Sequence, residues 1–195
     1  MARRRDRVLI AGVDEAGRGP LAGPVVAAAV ILNPAAPIPG LADSKTLKAS
    51  RRETLAEQIY DRALAVRIGV IEADEIDRIN ILQATLKAMS LAIEALEPRP
   101  TLVRVDGNQA PSTQLPVQTV IGGDASDSAI AAASIIAKTH RDAIMRHLHD
   151  AYPIYGFDRN KGYPTPAHLA VLEMHGPCPV HRQSFRPVFQ ARLFD

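Results

Sequence analysis

Two adjacent carboxylates, Asp14 and Glu15, close an apolar run over residues 8–13, and Gly17-Arg18-Gly19 follows one residue later. Hard oxygen donors beside a guanidinium suit a metal ion and a phosphate held together, on backbone that glycine leaves free to approach a ligand. Successive side chains of a strand face opposite ways, so the two acids converge only if the strand ends there, and Gly17 and Gly19 permit such a turn. Asp106 and Asp124 stand just past two further β-rich runs, 101–105 and 117–121. Asp14, Asp106 and Asp124 therefore each mark a predicted strand end, where open α/β sheets place their ligands. Several carboxylates at one point repel unless a cation lies between them, and an all-oxygen donor set suits Mg²⁺ or Mn²⁺, not Zn²⁺. The plain alternative is that each Asp simply begins a turn, Asp106 before Gly107-Asn108 above all. Three coincident strand ends weigh against it.

The elements that must position these acids follow from periodicity and punctuation. Strands over 8–14 and 25–32, joined by the glycine-rich turn, predict a hairpin. Ser50-x-x-Glu53 reads as a capping box opening a helix over 50–64, and 66–71 as a third strand. Ile76, Ile79, Leu82, Leu86, Met89 and Ile93 mark one amphipathic helix over 73–96, stopped by Pro98 and Pro100. A long helix is expected from about 126 to about 152, and Thr165-Pro166 supplies the N-cap and first residue of a last helix closed by Gly176-Pro177. The order ββαβαββα predicts an α/β fold, a mixed sheet flanked by helices.

Composition narrows the class. The chain has 195 residues, 47% of them apolar, which suits a single domain over 1–195 with residues from about 150 as a helical and tail extension. One cysteine, Cys178, excludes an internal disulfide framework and fits a reducing cytoplasm; set between two prolines, it reads as inert. No apolar stretch approaches the roughly 20 residues that span a bilayer, and the first apolar run is too short for a signal peptide. A soluble, cytoplasmic monomer is expected. Net charge is only +2, so a polyanion would be held by a local patch. Arg159, Lys161, Arg182, Arg186 and Arg192, with His168, His175 and His181 among them, form the candidate patch. Phosphate-loop, dinucleotide, zinc-spacing and nucleophile-elbow motifs are absent from the sequence.

These residues also carry a family resemblance. From residue 10 to 185 the chain resembles bacterial ribonuclease HII. The blocks are Gly12-Val13-Asp14-Glu15-Ala16-Gly17-Arg18-Gly19-Pro20, Asp43-Ser44-Lys45, Asn80-Ile81-Leu82, Val105-Asp106-Gly107-Asn108, Gly123-Asp124 and Ala132-Ala133-Ser134-Ile135-Ile136-Ala137-Lys138. Tyr155-Gly156-Phe157, Lys161-Gly162-Tyr163-Pro164-Thr165 and His181-Arg182-Gln183-Ser184-Phe185 complete them. Their number, order and spacing make the match specific. The resemblance implies an RNase H-like fold and an endonuclease that cuts the RNA strand of RNA/DNA hybrids and single ribonucleotides embedded in duplex DNA, leaving 3′-hydroxyl and 5′-phosphate ends. It implies Asp14, Glu15, Asp106 and Asp124 as catalytic metal ligands. By similarity, Gly17, Arg18 and Gly19 contact the 2′-hydroxyl and phosphates, Tyr163 stacks at the junction, and Lys45 touches a phosphate. Two divalent ions about 3.5–4 Å apart would hold the attacking water and the leaving 3′-oxygen.

Other readings stay in view. Asp142, four residues after Lys138, is either a further acid near the metals or a plain ion pair with Lys138, the simpler reading. Gln190-Ala191-Arg192-Leu193-Phe194 resembles the short peptide that docks on the bacterial sliding clamp, with Gln190, Leu193 and Phe194 matching and the two residues between departing from it. A junction resolvase would share the clustered acids but not explain Gly17-Arg18-Gly19 with Tyr163. A non-catalytic nucleic-acid-binding protein has no need of metal-gathering acids. The related ribonuclease HIII carries an extra N-terminal domain, for which the seven residues before Val8 leave no room.

Overall fold

The computed structural model describes residues 8–41 and 47–191. A five-stranded mixed sheet is built from β1 (Ile10–Ala16), β2 (Val25–Ile31), β3 (Ala65–Ile71), β4 (Leu102–Asp106) and β5 (Val117–Val120), in the spatial order β3-β2-β1-β4-β5. β1 pairs antiparallel with β2 and β2 with β3, while β4 runs parallel to both β1 and β5. The hairpin and the mixed sheet thus match expectation.

β2 is buried on both faces, and its alternation distributes the two halves of the core. Ala28 and Val30 face a layer formed by Leu55 and Ile59 of α1 (Ala49–Arg62) with Ala132, Ala133 and Ile136 of the long helix. Ala27, Ala29 and Ile31 face Ile76 of α2 (Ala73–Ile79) and Ala84, Ala88, Met89 and Ile93 of α3 (Ile81–Glu94). Small residues on these strands let the helices come close. A Cβ built on Gly12 of β1 would lie 2.0 Å from the backbone carbon of Ala129, so only glycine allows that approach.

Four local expectations are corrected. The single helix over 73–96 is broken into α2 and α3 at Asn80, whose φ of 67° is left-handed and whose side chain accepts from the Gln83 amide. Asparagine tolerates that conformation and caps the helix that follows. The Ser50 capping box does not form: Lys48 is the N-cap of α1, and its side chain makes no capping hydrogen bond. The strand expected to end at Asp14 continues to Ala16. The long helix is preceded by a short α4 (Gly123–Ser126) and begins only at Ser128. α5 (Ser128–Ala151) starts there because Asp127 accepts hydrogen bonds from the amides of Ala129 and Ile130.

Beyond α5 the chain forms a 3₁₀ turn (Pro153–Tyr155), α6 (Phe157–Asn160), α7 (Pro166–His175) and α8 (Arg186–Ala191). Thr165 caps α7 as expected, accepting from the His168 amide. This C-terminal part grips the β1–β2 connection: the amides of Leu21 and Gly23 donate to the carbonyls of Gly162 and Val180, and that of Arg182 donates to Leu21. Tyr155 and Phe157 are buried in it. Among the described residues no helix is long and apolar enough to cross a membrane.

Candidate active site

The parallel pairing of β1 and β4 sets the site. Their register reaches Val13↔Val105, so Asp14 and Asp106 lie side by side one residue further on. β5 then ends at Val120, and a turn delivers Asp124 in α4. Carboxylate oxygens of Asp14, Asp106 and Asp124 fall within 4.8 Å of one another. Asp14 and Asp124, more than a hundred residues apart in sequence, are thereby brought to one point.

Glu15 is handled differently. It lies within β1, paired with Ala27, and is not one of the three converging groups, but its carboxyl still reaches that of Asp14. It still lines the same cavity, and its carboxylate lies 3.5 Å from the Arg18 guanidinium. The convergence of both acids through a strand end is therefore replaced by convergence across the strand's edge, beyond the last residue paired with β4.

The electrostatics of this cluster suit a bound cation. Burial pushes the Asp14 carboxyl well above the usual carboxylate range, Glu15 and Asp106 push it the same way, and hydrogen bonds from Ser134 and the Glu15 amide oppose them. Glu15 is raised by burial and by Asp106, against the pull of Arg18. The Gly123 amide donates to Asp106 at 2.8 Å, fixing one of its oxygens. Buried, mutually repelling oxygen donors fit a hard divalent cation such as Mg²⁺ or Mn²⁺.

A cavity of about 260 Å³ joins the acids to the candidate recognition residues, lined by Asp14, Glu15, Gly17, Arg18, Gly19, Asp106, Ser134, Lys138, Arg141 and Tyr163. Gly17 has φ +98°, and a Cβ there would lie 2.0 Å from Nε of Arg141, so the turn requires glycine. Gly19 faces the Tyr163 ring: a Cβ on it would sit 3.6 Å from that ring, and Tyr163 is 43% exposed. Lys45, Leu193 and Phe194 lie outside the described residues, and Gln190 is exposed on α8. Asp142 pairs with Lys138 at 2.6 Å and stands 3.8 Å from Arg52, outside the acid cluster, as the simpler reading had it.

The expected cationic patch is corrected. Arg182, His168 and His181 are buried, leaving Arg159, His175 and Arg186 exposed, while Arg192 lies outside the described residues. Arg182 donates to the carbonyls of Gly17, Arg18 and Gly23, and Arg141 to those of Ala22, Pro24 and Lys161. The histidines form a chain of fixed direction. The Cys178 amide can only donate, so Nδ1 of His181 accepts it at 3.1 Å and the proton of that ring is on Nε2. That proton is given to Nε2 of His168 at 3.0 Å, and Nδ1 of His168 donates to the Tyr163 carbonyl at 2.9 Å. Burial lowers both histidines, His181 to about 4, and pushes the Cys178 thiol up to about 11, which keeps it inert. Sequence reasoning missed these roles of Arg141, Arg182 and Ser134, because backbone carbonyls and a single buried hydroxyl leave no spacing signal.

The ribonuclease HII family model matches residues 11–191. A ribonuclease HII from Bordetella avium is 62% identical over 179 residues, covering 92% of this chain and 89% of that protein. The crystal structure of ribonuclease H2 from Pyrococcus horikoshii superposes with a TM-score of 0.82 at 27% identity, covering 96% of this chain and 98% of that one. A ribonuclease HII from Archaeoglobus fulgidus, solved in complex with PCNA, gives 0.73 at 28% identity over 86% and 88% of the two chains. The chain belongs to the ribonuclease HII family, enzymes that hydrolyse RNA in RNA/DNA hybrids.

Proposed function

We propose that this protein is a divalent-metal-dependent endonuclease that cuts the RNA strand of hybrids and, in duplex DNA, cuts on the 5′ side of a single embedded ribonucleotide, leaving 3′-hydroxyl and 5′-phosphate ends. The observation that carries this reading is the one cavity in which Asp14, Glu15 and Asp106 meet the Gly17–Arg18–Gly19 turn and Tyr163. Cleavage chemistry and ribose recognition then act on the same nucleotide. Removal of embedded ribonucleotides during repair, and of RNA primers during replication, is the role such a cut serves.

Asp14, Glu15, Asp106 and Asp124 hold Mg²⁺ or Mn²⁺, which when bound lowers the pKa of water and offsets charge on the leaving oxygen. The chain's own task is placement: Ser134 bonds Asp14, and the Gly123 amide holds Asp106. Discrimination rests on the 2′-hydroxyl, the group that tells a ribonucleotide from its DNA neighbours. Gly17 and Gly19 bring backbone to it without a Cβ, and Tyr163 offers its half-exposed ring to the junction nucleotide. Polar groups awaiting that hydroxyl can reject its absence by about 10⁴-fold. Arg18 and Lys45 contact phosphates.

A cytoplasmic setting fits the single buried thiol. The Archaeoglobus complex supports a second element, docking of Gln190, Leu193 and Phe194 on a sliding clamp; deletion of residues 190–195 then abolishes binding to purified clamp, and unchanged binding refutes it.

The test of the main reading is incubation with duplex DNA carrying one ribonucleotide, beside all-DNA and RNA/DNA duplexes, in Mg²⁺ and in Mn²⁺. One metal-dependent cut 5′ of the ribonucleotide is expected. Cutting of the hybrid alone would overturn the roles given to Gly17, Arg18, Gly19 and Tyr163.

A further inference from the structure

Arg182 is 0% exposed, and among the described residues no carboxylate lies within ion-pairing distance of it. The charge of Asp77 reaches it, but the Asp77 oxygens accept from the amides of Gln183 and Ser184 and from the Ser184 hydroxyl. Its guanidinium is spent on one loop: Nη2 donates to the Gly17 carbonyl at 2.6 Å, Nη1 to Arg18 at 3.0 Å and Nε to Gly23 at 3.0 Å. The Phe185 ring lies 5.1 Å from its central carbon and supports the plane of the fork.

Two of those carbonyls have a consequence on the opposite side of the turn. A trans peptide sends its N–H the opposite way from its C=O. With the carbonyls of Gly17 and Arg18 drawn inward to Arg182, the amides of Arg18 and Gly19 face outward. Neither donates to another described residue, and both residues are exposed and line the cavity that holds Asp14 and Asp106. An arginine is suited to this because its rigid fork meets several acceptors in fixed directions, whereas a lysine reaches one at a time.

We infer that Arg182 is a positioning residue for recognition of the cut nucleotide: by holding the carbonyls of Gly17 and Arg18, it turns the amides of Arg18 and Gly19 into the cavity as paired donors for an oxygen of the nucleic acid. The inference rests on the function proposed above, and the experiment separates the two. Arg182→Lys keeps the charge and loses the fork, and Arg182→Ala permits rescue by millimolar guanidinium. In the metal-free, substrate-free protein, ¹⁵N–¹H spectra should show the Arg18 and Gly19 amides displaced by Arg182→Lys while those of Asp106 and Asp124 stay in place. With the ribonucleotide-containing duplex, kcat/KM should fall about 10²-fold, the scale of a small misplacement of a reacting group. Mn²⁺ affinity should be unchanged, and guanidinium should restore part of the activity of Arg182→Ala. Unmoved Arg18 and Gly19 amides overturn the inference, as does a loss of cutting that merely tracks the folded fraction in a thermal melt. If the parent protein cuts no duplex, the functional reading fails, and the amide displacement alone decides the positioning role.

Discussion

The acid cluster opens on the cavity, whereas the Arg182–His181 cluster is buried behind it, hydrogen-bonded to its Gly17–Arg18 turn and linked through His168 to Tyr163, and the buried charges and dipoles of the two are settled in opposite ways. Asp14, Asp106 and Asp124 bring like charges within 4.8 Å, and burial raises Asp14 further. Arg141 and Arg182 are as deeply buried, but each is surrounded by backbone carbonyls, and the two histidines pass a single chain of hydrogen bonds to Tyr163. On the proposed function the first cluster is completed by a divalent cation. The second is complete within the fold, because partial charges on fixed carbonyls satisfy a guanidinium without asking a carboxylate to leave water. One end of the site is therefore poised electrostatically, and the other is fixed geometrically.

The strongest way to break this contrast is Asp106→Asn. Cleavage should drop by at least about 10³-fold, the upper range for losing one designed electrostatic contact, while the metal-free protein becomes no less stable, since one repelling charge is gone. Steady-state kinetics and a urea titration without metal check both halves; a large loss of apo stability would show that the acids are not frustrated.

The two clusters also respond to pH with opposite sign. His168 and His181 have folded pKa values below their ordinary 6.5, so their contribution is present above 6.5 and is lost as pH falls, for His181 through about 4. Lost over that window is at most about 3 kcal/mol from His181. Asp14 and Glu15 have raised folded pKa values, so in metal-free protein their contribution is present below the ordinary carboxylate range and is lost as pH rises through the folded values. In saturating Mg²⁺, urea midpoints should fall from pH 7 to 4, and His181→Gln should flatten part of that fall.

Gly17→Ala strikes where the two clusters meet. A side chain at φ +98° with Arg141 Nε 2.0 Å away should cost about 1–3 kcal/mol and lower cleavage in parallel. Denaturation midpoints beside kcat/KM would reveal it, and an unperturbed variant would mean that the turn is slack. The smallest effect is expected from Asp142→Asn. Asp142 is buried, but its partner Lys138 is partly exposed and Asn keeps an acceptor for it, so stability should fall by about 1 kcal/mol, with cleavage retained. Collapse of activity would move Asp142 into the metal-binding set.

The sequence alone located the strands and the three aspartates that the fold brings together. Asp14, Asp106 and Asp124 each follow an apolar run, and the sheet does carry them to one edge. Thr165-Pro166 and the β1–β2 hairpin were equally legible, since caps, glycine turns and alternation are local chemistry. Three features were not legible locally. Asn80 breaks what reads as one helix, because a single left-handed residue leaves apolar periodicity on both sides intact. Glu15 stays in the strand, because β1 keeps pairing with β2 after β4 has ended, and that difference between two edges exists only in the sheet. Arg182 reads as one more surface cation among its neighbours in sequence. Only the tertiary structure buries it, because its partners are the carbonyls of Gly17, Arg18 and Gly23, some 160 residues away and identical in kind to every other carbonyl in the chain. Side-chain chemistry is written in the residue types, but which backbone groups a buried side chain will meet is decided by packing alone.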